Sequence, residues 1–248
     1  MEWLGAIGGG SFILVSLIVG VRVLLLARRT RALPEFSMGL GLVLMGGLSY
    51  PINVAARMSV DLSPDTRVGM MLVSQLLMWL GCVAIGVFNW RVFRPEARWP
   101  LALLVGFASA MLVVFLIQCL TLGMFAFVDG REGIYRFGIV PQGVPYLWGF
   151  LESALYYAKL RKRIGLGLAE PTVARRIGLW AITMGASTAI NWFMITLEIL
   201  DIDSATAPIA GLVLGPVGLV CTVSLWIAFR PARGSAPETS PRAPDALG

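Results

Sequence analysis

Apolar residues recur in runs of roughly twenty, separated by short polar or charged stretches, along most of the chain between residues 4 and 229. Each run matches the ~20 residues a helix needs to cross ~30 Å of hydrocarbon, where every backbone N–H and C=O must be paired within its own segment. The pattern predicts an all-α integral membrane protein with seven transmembrane helices, at about 4–27, 38–57, 68–92, 99–122, 143–160, 177–200 and 206–229. The first run opens Met1-Glu2-Trp3, lacks a basic leading region and carries its arginines at the far end, so it reads as an uncleaved span and not as a secretory signal. Residues 1–230 form one transmembrane domain on this reading. From Pro231 onward the chain turns to Pro, Ala, Ser and Gly with scattered charges, a composition expected to leave 231–248 as a disordered cytoplasmic tail.

Composition agrees with lipid as the solvent. The chain has 248 residues, 57% of them hydrophobic and 14% charged, with a mean hydropathy of +0.80, too little polarity to cover a water-facing surface. Of 20 basic residues, all but Arg57, Arg67, Arg131 and Arg136 fall on one side if the N-terminus lies outside. By the positive-inside rule this predicts an N-out, C-in topology. The net charge of +6 is then placed against anionic headgroups, so the expected partner is the bilayer and not nucleic acid. Lys159 and Lys162 are the two lysines among arginines, and Gly and Ala are abundant, a usage typical of a high-GC bacterial genome, hence a bacterial inner membrane. Trp3, Trp90, Trp99, Trp180 and Trp226 fall near span ends and are expected to anchor at the interface.

The third span exits as Trp90-Arg91-Val92-Phe93-Arg94-Pro95 and the seventh as Trp226-Ile227-Ala228-Phe229-Arg230-Pro231, two copies of W-x-x-F-R-P on the same side. Gly39-Leu40 with Met45-Gly46-Gly47-Leu48-Ser49 in the second span parallels Gly178-Leu179 with Met184-Gly185-Ala186-Ser187-Thr188 in the sixth. These pairs suggest an internal repeat joining spans 1–3 to spans 5–7 through a linking fourth, a 3+1+3 parallel pseudo-repeat. In layout this plan is similar to that of microbial rhodopsins and of the PQ-loop and SWEET sugar carriers, which implies a site between the halves. A rhodopsin-type Schiff base would need a lysine in the seventh span, and 206–229 has none, so no retinal and no other cofactor is expected. Pro141-Gln142 falls at the outer start of span five, unlike the PQ-loop dipeptide at cytoplasmic helix ends.

Polar side chains inside a span are costly in lipid and mark candidate sites. On the predicted topology Ser49, Tyr50, Asn53, Gln75, Gln118, Thr188 and Asn191 all lie in the outer half, with Glu152 near the midplane of span five. Glu152, Tyr156 and Lys159 share one helix face. Asn191 shares a second stripe with Ser187 and Glu198 in span six, and Ser49, Tyr50, Asn53, Gln75, Gln118, Glu152, Tyr156, Thr188 and Asn191 are the candidate ligand-binding set for a small polar ligand or ion. Interhelical hydrogen bonding is the competing role for each amide and hydroxyl. Asn89 is expected to help cap the third span. Gly5-x-x-x-Gly9, Gly211-x-x-x-Gly215 and the glycines of span two are read as close-packing positions; the same motif also permits a homo-oligomer.

Catalysis has little to work with. Histidine is absent, which removes the imidazole sites of intramembrane metallohydrolases and di-iron oxidases. Cys82, Cys119 and Cys221 sit singly in apolar runs, as core fillers and not as metal ligands. No nucleophile elbow, H-E-x-x-H or Walker loop occurs. The expected function is a small-solute or ion transporter rather than an enzyme. Two alternatives stay open: a seven-helix small-ligand sensor signalling through a cytoplasmic partner at the basic loops, and a structural membrane subunit.

Overall fold

A computed structural model describes residues 2–59, 61–117, 120, 133–200, 202 and 208–230. Gln118, Cys119, Arg131 and the tail 231–248 lie outside these residues. Among the described residues every regular element is helical. Helix α1 spans Glu2–Thr30; α2 (Leu33–Leu42) runs through a π-helical stretch (Val43–Ser49) into α3 (Tyr50–Met58). Then follow α4 (Pro64–Phe93), α5 (Trp99–Ile117), α6 (Gly133–Ile164), α7 (Pro171–Ile199) and α8 (Pro208–Phe229). Counting α2, the π stretch and α3 as one continuous rod gives seven rods.

The boundaries follow from local chemistry. Arg31 adopts a left-handed φ of 56°, which reverses the chain between α1 and α2 within two residues, and the Thr30 hydroxyl ties the turn to the Glu35 carboxylate. Ser63 caps α4 by accepting from the Thr66 N–H at 3.2 Å, with Pro64 at the first helical position. In the second rod, Pro51 would press its ring on the carbonyl four residues back. The chain widens there instead: the Tyr50 N–H reaches the Met45 carbonyl in π geometry.

Five helical segments, Ala6–Thr30, Leu33–Met58, Pro64–Phe93, Trp99–Ile117 and Leu212–Phe229, are long and apolar enough to cross a bilayer, consistent with a multi-pass membrane protein. Helices α6 and α7 are of similar or greater length but carry Gln142, Glu152, Thr183, Thr188 and Asn191 together with basic ends.

Close approach holds the rods together, since apolar side chains gain little by leaving lipid for one another. A Cβ on Gly8 would lie 2.5 Å from the Gly215 carbonyl oxygen and 2.9 Å from its Cα, so α1 and α8 touch backbone to backbone. Gly9, the position expected to make such a contact, faces the Tyr50 ring instead. Gly20 and Gly39 bring α1 against α2 in the same way, a Cβ on Gly39 meeting the Gly20 oxygen at 2.9 Å. Around the bundle α1 packs on α2, α2 on α4, α4 on α6, α6 on α7, α7 on α8, and α8 returns to α1; α5 leans on α4 and α6 from outside this ring.

One end of the bundle gathers the basic residues. Arg28, Arg29 and Arg31 close α1, Arg91 and Arg94 close α4, Arg161, Lys162 and Arg163 close α6, and Arg175 and Arg176 open α7. Trp99, the first residue of α5, meets Trp148 at 5.8 Å between ring centroids, and Phe93, the last of α4, meets Tyr156 at 6.0 Å. Trp180 lies between Phe88 (5.2 Å) and Phe229 (6.5 Å). These contacts fix the level at which the other helices stop. From Tyr156 to Ile164 and from Trp180 back to Pro171, α6 and α7 continue for roughly 12–14 Å beyond it, at 1.5 Å per residue. The charged end of α6 and the start of α7 thus form a projecting hairpin arm. Pro141 lies inside α6, not at its start. Trp180, expected at the interface, is 3% exposed and belongs to the core, whereas Trp99 and Trp226 are exposed at helix ends as anchors should be.

Candidate functional site

The charged centre of the molecule forms where α4 stops. Pro95 disfavours helical geometry at the residue before it, and Arg94 leaves the helix at φ −142°, ψ 51°, while its N–H still reaches the Trp90 carbonyl at 3.0 Å. That release swings the guanidinium toward α6. Its Nε donates to both oxygens of Glu152, at 2.9 and 3.1 Å. Among the described residues this is the one ion pair between side chains. The Glu152 side chain is 11% exposed and that of Arg94 43% exposed, so the pair sits at a boundary, the acid inside and the cation toward solvent.

Glu152 thus lies at the basic end of the bundle, one turn beyond the Trp99–Trp148 contact. The carboxylate's need for a partner was legible; the partner was not, because the Arg-Pro exit reads as a generic helix stop. Along α6 the stripe Glu152, Tyr156, Lys159 continues to Arg163, and with Phe93 and Arg94 these residues line a cavity of about 240 Å³. Leu155 and Leu160 complete its apolar side. Arg163 continues the same face, although in the sequence it stands within the basic run Arg161-Lys162-Arg163 that ends α6.

The remaining candidates are distributed among separate neighbours. Ser49 and Ser74 exchange hydroxyl-to-carbonyl bonds at 2.8 and 2.9 Å, a buried clasp between the π stretch and α4. Asn53 donates to the Met71 sulfur at 3.4 Å and accepts from Arg57 Nε at 2.9 Å. Tyr50 lies over Gly9 of α1, and Gln75 is half-buried on α4. Thr188 bonds back to the Met184 carbonyl of its own helix at 2.8 Å. Asn191 is buried against Gly143 of α6, its Oδ1 without a partner. Gln118 lies outside the described residues. Of the predicted set, Glu152 and Tyr156 meet in this cavity.

Asn89 does not cap α4. It is fully buried and donates from Nδ2 to the Pro145 carbonyl of α6 at 2.9 Å, leaving its Oδ1 without a partner beside Gly149. Cys82 and Cys221 are buried free thiols, and no cluster of three metal-ligating side chains occurs among the described residues. Comparisons of the chain with protein-family models, with curated proteins and with solved structures find no match.

Proposed function

We propose that the protein is a small-solute or ion transporter of the cell membrane, with seven spans, its N-terminus outside and its C-terminus inside, built from two parallel three-helix halves. The observation that carries this reading is the order of neighbours around the ring. Exchanging α1 for α6, the α2–α3 rod for α7, and α4 for α8 turns every contact of the ring into another contact of the ring: α1·α2 into α6·α7, α2·α4 into α7·α8, and α1·α8 into α6·α4. Helix α5 stays outside as the link. Two W-x-x-F-R-P exits on exchanging helices are what such a plan requires, and parallel halves of this kind enclose substrate sites between them. The collected basic residues at one end favour that end as cytoplasmic, in a bacterial inner membrane.

On this reading the solute path follows the seam of α6 with its neighbours. It opens inward at Glu152 and Tyr156, while the partnerless oxygens of Asn89 and Asn191 supply acceptors further along. Ser49, Asn53 and Thr188 serve packing. The test is uptake into proteoliposomes of a panel of amino acids, sugars and alkali cations. Protein-dependent uptake of at least one is expected, falling tenfold or more in Glu152→Gln. Stabilisation by a panel member without uptake would contradict transport and favour the sensor alternative, for which the projecting α6–α7 hairpin offers a handle to a cytoplasmic partner.

A further inference from the structure

The cavity at the basic end holds more cations than its one acid can neutralise. Arg94, Lys159 and Arg163 face a single carboxylate, Glu152, and both oxygens of that carboxylate are engaged by Arg94 Nε. Lys159 and Arg163 therefore have no acidic counterpart in the cavity. A guanidinium bound through Nε keeps four further N–H donors, and Arg94 is 43% exposed, so this edge is open to a second anion. We propose that the cavity is a phosphate-binding pocket in which Arg94, Lys159 and Arg163 hold a phosphomonoester group. Glu152 and Tyr156 line both this pocket and the inner mouth of the proposed solute path, but the anion site stands on the pocket's own charges and its test reads binding alone.

Three features select this ligand chemistry. The surplus of two positive charges matches the charge of about −1.5 to −2 that a phosphomonoester carries at neutral pH. A guanidinium offers paired donors to phosphate oxygens, and lysine adds a point charge. The volume of about 240 Å³ equals that of roughly eight waters at ~30 Å³ each, room for a phosphate and part of its ester, and Phe93, Leu155 and Leu160 give the ester an apolar wall. The pocket lies at the basic end of the bundle, one helical turn past the Trp99–Trp148 contact, so the phosphate has two sources: a lipid headgroup or a soluble phosphate.

The test uses the purified full chain in neutral detergent, free of surface potential, with inorganic phosphate and phosphatidic acid as probes and phosphatidylcholine as control. Binding is followed by the rise in thermal unfolding midpoint with probe concentration. Saturable stabilisation by inorganic phosphate assigns the soluble source, and stabilisation by phosphatidic acid alone assigns the lipid; either supports the pocket. The Lys159→Gln/Arg163→Gln variant alters exposed positions and is expected to fold, with affinity reduced on the order of 25-fold, from about fivefold per basic residue at an anionic surface. Arg28→Gln/Arg29→Gln, at the same end of the bundle, should leave affinity unchanged. Absence of stabilisation by both probes, stabilisation by phosphatidylcholine equal to that by phosphatidic acid, or equal weakening in the two double variants would overturn the proposal.

Discussion

Replacing Gly8 with leucine is expected to cost about 3 kcal/mol of stability, the upper part of the usual overpacking range. What a new Cβ meets there is main chain: the Gly215 oxygen at 2.5 Å and the Gly215 Cα at 2.9 Å. No rotamer change can relieve that contact, so α1 and α8 must separate, and with them the ring opens. Gly10, two residues along the same helix, is the control, because a Cβ there meets nothing within 4 Å. Gly10→Ala is expected to be neutral or stabilising by up to about 1 kcal/mol, the helix-propensity difference. Unfolding in detergent compares the two directly; equal effects would show that α1 and α8 do not pack through Gly8.

The second large effect is an asymmetry. Arg94→Gln leaves a carboxylate that is 11% exposed without its cation, whereas Glu152→Gln leaves a guanidinium that is 43% exposed and already in reach of water. Removing one partner of a fully buried pair costs about 3–5 kcal/mol, and exposed pairs contribute about 0–1 kcal/mol. Arg94→Gln is therefore expected to cost about 2–3 kcal/mol and Glu152→Gln about 1 kcal/mol or less. The double variant should recover most of the Arg94→Gln loss, since no buried charge remains. A double variant as unstable as Arg94→Gln alone would show that the arginine acts through packing of its stem and not through the acid.

Element existence was legible because spans in lipid advertise themselves by length and apolarity: α1, α4, α5 and α8 begin or end within a few residues of the expected windows. Depth was not legible. A window of hydropathy places Glu152 in the middle of the apolar run 143–160, but α6 spans Gly133–Ile164 and Glu152 pairs with Arg94 where α4 stops, so the same residue falls at the basic end of the bundle. Gly39 and Gly215 make the close contacts their spacing suggests, but on α1 Gly8 and not Gly9 meets α8, since spacing alone cannot rotate a helix. Polar residues in one half of a bundle share a depth without sharing a direction. Ser49 found Ser74 and Asn53 found Met71 where the second rod meets α4, whereas Asn191 found Gly143 where α7 meets α6. Arg94 could be found only through the fold, because Pro95 frees it from its own helix to meet a residue far along the chain.

The ring of six helices requires α6 and α7 to cross the membrane alongside the five plainly apolar segments. Leu168, between them and 73% exposed, decides this. In a cysteine-free background, Leu168→Cys is expected to react with an impermeant thiol reagent only from the cytoplasmic side, together with Ala97→Cys between α4 and α5. Asp61→Cys, between α3 and α4, should react only from outside. Labelling of Leu168→Cys from outside, together with Asp61→Cys, would place the α6–α7 turn on the wrong face and contradict the two-halves architecture.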